Sequence, residues 1–309
     1  MILIKEPRKM KQVGRDVIYN DISGQNKPSL TVHSGETFRV GTELCSGTWL
    51  KKPGDVFIPE NRIYTNPTVC VEIEAAMPGS ALSIRILSVE PEDIGYTGIF
   101  NTNPLFDRFF DKDQHNITRT VAIQNGTIRL SDGICLPVSP MIGVLATAPA
   151  CDVLCSTCAS PNGGNMDIQE VRAGTTVYLP VDFPGAMLHI GDTHAIQGDG
   201  ELDCAGGIEC RSSVTLKVDV IHRPAGMEWV RMEDENTIMA AAFCEKTDDA
   251  FYEAVHEMLR WLEIGYGIAH AEAFMLLAQV MHARNTQFVN PTRSYICKID
   301  KRYLPEPAE

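Results

Sequence analysis

Positive charge is scarce in this chain: 27 Lys and Arg stand against 40 Asp and Glu in 309 residues, a formal net charge of -13. That balance repels phosphate backbones, and no basic stripe with interleaved aromatics offsets it locally, so nucleic acid is not expected as a partner. Uninterrupted apolar runs of about eighteen residues are also missing, so no membrane helix is expected. MILIKEPRKMKQVGRDVIYN has no apolar h-region and no small-residue cleavage site, which reads as a cytoplasmic protein. Nor is there a Gly-x-Ser-x-Gly elbow, a Walker loop or a strand–GxGxxG–helix unit, which removes the usual serine-hydrolase and nucleotide arguments. Internal repeats and low-complexity tracts are absent.

What is present is an ordinary soluble composition, 44% hydrophobic and 22% charged, in a chain long enough for one large domain or two smaller ones. From Ile2 to about His222, short runs rich in Val, Ile, Thr and Leu alternate with Gly, Pro, Asn and Asp punctuation, as in SLTVHSG, TVCVEIEA, ALSIRILSV, TTVYLPV and SVTLKVDVI. No helix-length periodic segments lie between them, so a parallel βαβ sheet is disfavoured and an antiparallel sandwich or barrel is expected. The pattern changes after His222-Arg223-Pro224. Phe251, Val255, Met258, Leu259 and Leu262 fall at helical spacing between a start near Thr247 and a stop at Gly265, and AHAEAFMLLAQVMHA predicts a second helix. An extended SYICKI follows. The chain therefore divides into a β-rich catalytic region, 1–225, and an α+β C-terminal region, 226–309. His256, His270 and His282 read as surface or cap residues.

The ten cysteines are scattered, and reduced thiols are the expectation. Cys151, Cys155 and Cys158 in CDVLCSTC have spacings that suit zinc or an iron–sulfur cluster, but a fourth ligand at matching spacing is missing.

The chemistry concentrates in HIGDTHAIQGDGE, His189 to Glu201. Between His189 and Glu209 lie two histidines and five carboxylates among glycines that no helix would tolerate. If the chain turns at Pro184-Gly185 and re-extends, Asp192 and His194, at i and i+2, project to the same side, and Asp199 and Glu201 repeat the relation. Carboxylate beside imidazole across a Gly-rich bend suits Zn²⁺, Ca²⁺ or Mn²⁺. The bland alternative is a polar loop whose Asp-Gly pairs only make turns, but turns do not call for a neighbouring His, Gln197 and Glu201. In TVHSGE, His33 is a further candidate ligand beside Glu36, against the plainer reading of a hairpin turn. PNGGNMD places Asn165 and Asp167 at i and i+2 in another Gly-rich loop. Metal, carboxylate and imidazole together suit activation of water against a polarised carbonyl.

At these residues the sequence resembles the acetamidase/formamidase family, whose signature block GDxHAxQGDGE is matched by GDTHAIQGDGE, Gly191 to Glu201. PMIGVLATAPA, GGNMD, AGTTVYLPVDFPGA, QFVNPTRSYICKI and the following YLP agree in the same order. The resemblance implies a mainly β fold of intertwined β-sandwich and β-barrel-like parts with a small α+β C-terminal portion. It also implies hydrolysis of a short-chain amide, such as formamide or acetamide, to carboxylate and ammonia, and makes a homodimer plausible. Carried over residue by residue, it gives Asp192 and His194 as metal or catalytic residues, with Gln197, Asp199 and Glu201 as the rest of the pocket. Joined to the residue readings above, the expected set is a divalent metal, Zn or Ca, on His33, Asp192 and His194; Glu36, His194 and Glu201 as catalytic groups; and Gln197, Asp199 and Asn165 in the substrate pocket. TNPTVCVEIEAAMPGSAL, Glu36 where Asp is common, FNTNPLFDRFFDKDQHN and CDVLCSTCAS depart from the pattern, which bears on substrate identity. Two other readings stay open: a lyase or oxygenase with iron on His33, Asp192 and His194, and a non-catalytic β-scaffold stabilised by Ca²⁺.

Overall fold

In a computed structural model of the chain, which describes residues 10–45, 50–58, 65–111, 113–203 and 205–307, the short Val/Ile/Leu/Thr runs all become strands and nearly all join one sheet of 18 strands. Pairing is antiparallel except where Lys11–Val13 meets Thr37–Thr42 and Leu30–Val32 meets Thr68–Ile73. The longest strand, Ser80–Ile99, pairs in turn with Thr176–Pro180, Ile208–His222 and Ile117–Gln124. Register shifts near Cys210/Ser212 and Thr215/Leu216 accompany that exchange of partners. Such bulges bend a strand, so the sheet curls and its inner faces close on each other. Val40, Val71, Ile84, Leu145, Leu179, Leu188, Val214 and Val230 meet in the principal core. The fold is mainly β, with sandwich-like and barrel-like parts sharing strands.

The C-terminal part has its own core but not its own sheet. Thr176–Pro180 pairs with Val230–Glu233, so ladder hydrogen bonds cross the 225/226 position. Thr237–Cys244, Arg293–Asp300 and His282–Gln287 extend the sheet, and helices Thr247–Tyr266 and His270–Val280 cover it through Ala254, Met258, Leu262, Ala273 and Leu277. Asp248 and Asp249 lie in the first turn, the end where the helix dipole favours negative charge. The helix runs past Gly265 and closes at Gly267, whose φ of 67° is the left-handed cap that glycine supplies at least cost. His256, His270 and His282 are exposed. No helix among the described residues is long and apolar enough to cross a membrane.

Leu188–Ile196 is the strand that matters for chemistry, and it is buried along all but its last residue. Along one edge it pairs with Met141–Ala146. On the other edge Thr68–Ile73 serves as partner up to Gly191, and Ile208–His222 takes over at Thr193. Asp192 falls at this handover, between the two partners. Its φ of 53° lies in the left-handed region, while the register against Met141–Ala146 runs on unbroken from Gly191 to Thr193.

His189 opens the strand region with an imidazole that is fully buried, its Nδ1 2.7 Å from Thr68 Oγ1. Burial pushes its pKa down to about 4. The folded protein therefore binds fewer protons than the unfolded chain between about pH 6.5 and 4, so stability falls as pH drops through that window and levels off below it. The loss is about 3 kcal/mol. Thermal melts of wild type and His189→Gln across this range are expected to diverge, with the variant lacking that part of the slope; parallel curves would refute the assignment.

Candidate functional site

Asp192, with its left-handed backbone, has its carboxylate beside His194, Oδ2 lying 3.7 Å from Nε2. Opposite Asp192 stands Gly143, where an added Cβ would come within 2.6 Å of both Asp167 Oδ1 and Asp192 Oδ2. Gly206 does the same on the far side: a Cβ there would lie 2.4 Å from His194 Nε2 and 2.7 Å from Glu209 Oε1. Glycine at these two positions leaves the space that the polar atoms enclose. Around it sit Asp167, Asp192, His194, Glu201 and Glu209, all buried. Asp167, Asp192 and Glu201 adopt φ of 47°, 53° and 40°. Non-glycine residues pay for that conformation, and such outliers gather at functional sites.

His194 has a fixed tautomer. Gln197 Nε2 donates to the carbonyls of Asp167 and Thr286 at 3.1 and 3.3 Å, so its Oε1 must face the ring, 2.8 Å from His194 Nδ1. An oxygen can only accept, so Nδ1 carries a proton, and in the neutral ring the Nε2 lone pair points into the enclosed space. Gln197→Leu removes this fix and is expected to weaken metal affinity about 10–100-fold. Titration with a chromogenic chelator reads that loss, and unchanged affinity would sink the role.

The carboxylates have neighbours on one oxygen and none on the other. Asn66 Nδ2 donates to Asp192 Oδ2 at 2.8 Å and Asn290 Nδ2 to Asp167 Oδ2 at 2.5 Å. Asp167 Oδ1, Asp192 Oδ1, His194 Nε2, Glu201 Oε2 and Glu209 Oε2 are buried without a hydrogen-bond partner. Among the described residues no Lys or Arg forms an ion pair with any of the four acids. Burial, and next the charge of Asp192, push Asp167 up to about 6. Burial and then the charge of Asp167 hold Glu201 well above the usual carboxylate range, and Glu201 shares a hydrogen bond with Asp167. Glu209 is raised in the same way, by burial first and Asp192 next. Burial alone would lower His194, but contacts with Asp192, Asp167 and Gln197 leave it raised. Several buried anions with bare lone pairs and no compensating cation are a donor set that fits a metal ion. Asp167, Asp192 and His194 each bring one ligand atom within 4.8 Å of the others.

The structure gathers some of the expected residues and leaves others elsewhere. Asp192, His194, Gln197 and Glu201 meet in the centre. Asn165 is buried two residues before Asp167 in sequence, with its Oδ1 unpartnered. Asp199 does not repeat the Asp192–His194 relation with Glu201, because the strand ends at Ile196 and the chain turns: its side chain is 63% exposed and pairs with Arg284 at 2.7 Å. His33 and Glu36 form the expected tight turn, with Gly35 at φ 86° and Glu36 Oε2 accepting from His33 N at 2.8 Å. That turn is at the other end of the sheet. His33 pairs with Glu74, and Glu36 with Lys11. Strand register separates His33 from His194 by roughly nine residue steps, about 30 Å.

Asn66, Glu209, Asn290, Gly143 and Gly206 were not singled out from sequence. The readable signal was a charged Glu209 at the head of the otherwise buried IECRSSVTL strand. Cys45, Asn66 and Asn290 also line a pocket of about 200 Å³ with Phe57, Phe100 and Pro291. Cys155 and Cys158 flank a tight turn, Cys158 N donating to Cys155 O at 2.9 Å, and Thr157 between them lines the same pocket. Among the described residues no metal-ligand group includes Cys151, Cys155 or Cys158, and Cys204 lies outside those residues.

Fold and site together define a β-rich protein with a buried carboxylate–imidazole centre under a small pocket. Residues 156–256 match the acetamidase/formamidase family. The acetamidase of Bacillus halodurans superposes with a TM-score of 0.87 at 29% identity, covering 94% of this chain and 98% of that one. For the acetamidase of Yersinia enterocolitica the TM-score is 0.88 at 27% identity, covering 97% and 94%. A candidate formamidase of Schizosaccharomyces pombe is 29% identical over 206 residues, 48% of this chain and 50% of the relative, so the chain spans about half the length of that relative. Over these residues and in its fold the chain is similar to the acetamidase/formamidase family.

Proposed function

We propose that this protein hydrolyses a small amide to a carboxylate and ammonia at the Asp167–Asp192–His194–Glu201–Glu209 centre. The observation that carries the reading is a buried group of four acids and an imidazole, each with one unpartnered polar atom, of which Asp167 Oδ1 and His194 Nε2 face the room left at Gly143 and Gly206. Asp167, Asp192 and His194 would hold a divalent ion. Such an ion, when bound, polarises a carbonyl and makes water a better nucleophile at neutral pH. Gln197 keeps the His194 lone pair aimed inward. Glu201, bonded to Asp167 and bare at Oε2, takes the proton from the attacking water and returns it to the departing nitrogen. His33 and Glu36, on their remote turn, have no part in this set.

The pocket volume favours short amides, since drug-sized ligands need roughly 300 Å³ or more. Formamide, acetamide and longer homologues, assayed for ammonia on protein of known metal content, test the proposal. Turnover that falls on chelation and returns with zinc is expected; metal-loaded protein that releases no ammonia from any of them would overturn it. We further propose a cytoplasmic homodimer, with Phe274 and Met275 of the second helix, both exposed, at the contact. Light scattering reads the oligomeric state.

A further inference from the structure

Beside the Asp167–Asp192–His194 group lies another set of donors with a different chemistry. Cys45 Sγ, an oxygen of Asp192 and an oxygen of Glu209 lie within 4.8 Å of one another, and all three residues are buried. Two ligands of one zinc ion are at most twice a bond length apart, about 4.6 Å for sulfur, so this spacing is close to that of atoms sharing an ion. The acids do more than cluster. Asp192 Oδ1 and Glu209 Oε2 are unpartnered on side chains only 2% and 3% exposed. The cysteine is held in place as well: Tyr96 Oη donates to its carbonyl at 2.6 Å, and its thiol lies 3.3 Å from Asn66 Oδ1, whose own amide nitrogen reaches Asp192.

We propose that Cys45, Asp192 and Glu209 form a second cation seat that shares Asp192 with the Asp167–Asp192–His194 seat, so that the full centre holds two ions. The proposal rests on the metal-assisted reading above for its first ion. A thiolate in the donor set selects zinc-like ions and rejects calcium and magnesium, which take oxygen ligands. Loading is an exchange without redox change: the Cys45 S–H bond breaks, its proton leaves to solvent, and a sulfur–metal bond forms. Cysteine at this position would thereby settle the choice between Zn and Ca that the carboxylates and His194 alone leave open.

The test uses the full chain, stripped of metal and reloaded with zinc or cobalt(II), with ammonia release measured in parallel. Wild type is expected to take up about two ions per chain, as two-metal hydrolytic sites do, and the cobalt form to show near-ultraviolet sulfur-to-cobalt charge-transfer absorption. Cys45→Ser should retain about one ion and lose that band. Glu209→Gln leaves the thiol in place, so it covers the case in which the cysteine variant fails to fold, and it should also lose one ion. A stoichiometry of one that neither variant changes, or a cobalt form without sulfur charge transfer, overturns the second seat while amide turnover by the loaded protein leaves the amidase reading intact. Turnover by protein that binds no metal overturns both.

Discussion

Asp192→Asn is expected to abolish ammonia release, by about 10³-fold or more in kcat/KM, which is roughly 4 kcal/mol of transition-state stabilisation. The same variant should make the metal-free protein more stable. Asp192 is 1% exposed, has one bare oxygen and lies among Asp167, Glu201 and Glu209 with only Asn66 and His194 to offset them, so without a metal the site crowds buried acids together. A neutral amide relieves that repulsion, and a gain of about 1 kcal/mol, about 2 °C in Tm for a chain of this length, is the expected size. Melting both proteins in chelator, with the ammonia assay alongside, gives the two readouts. A variant that melts below wild type without metal would contradict the picture of a site strained by its own charge. This opposition also separates a catalytic centre from a calcium staple, for which removal of the acid lowers stability and no amide is turned over.

Arg231→Met is expected to cost about 3 kcal/mol of folding stability, within the range for breaking one side of a buried ion pair. Arg231 Nε donates to Glu257 Oε1 at 2.5 Å, on side chains 3% and 0% exposed. Glu257 Oε2 meanwhile accepts from the backbone N–H groups of Glu228 and Trp229 at 3.0 and 3.1 Å, and from Arg260 at 2.7 Å. One carboxylate thus ties the Thr247–Tyr266 helix to the Val230–Glu233 strand. Removing Arg231 leaves Glu257 with Arg260 as its nearest cationic partner, so the loss should fall at the low end of the range. Glu257→Leu strands Arg231 and two amide N–H groups, and the double variant should cost less than the sum of the singles. Urea denaturation of the set measures this, and strict additivity would show that the pair does not act as a unit.

The strands were legible because alternation and Gly/Pro punctuation are local signals, and Asp192 with His194 was legible because i and i+2 on an extended chain share a side. Asp199 with Glu201 obeys the same spacing but fails, since the strand ends at Ile196 and the rule lapses with it. His33 and Glu36 show a second limit. The turn they make can be read locally, but which end of a sheet a turn reaches depends on pairing with Thr68–Ile73, and that is set by contacts far apart in sequence. Asn66 and Asn290 both stand before prolines, where sequence reasoning sees a break in structure; their amides instead hold Asp192 and Asp167. Glu209 was visible as one of five carboxylates, but only the handover of partner strands at Asp192 brings it to His194.

The left-handed backbone at Asp167, Asp192 and Glu201 has a consequence for how such a centre can be lost. Glycine adopts that conformation without strain, so replacing any of these acids by glycine deletes the chemistry, relieves the backbone and removes a buried charge in one step. Erasing the activity is therefore conformationally downhill, while restoring it from glycine is uphill at each position. A relative with the same sheet but glycine at these three places would be a fossil of the enzyme, well folded and inert.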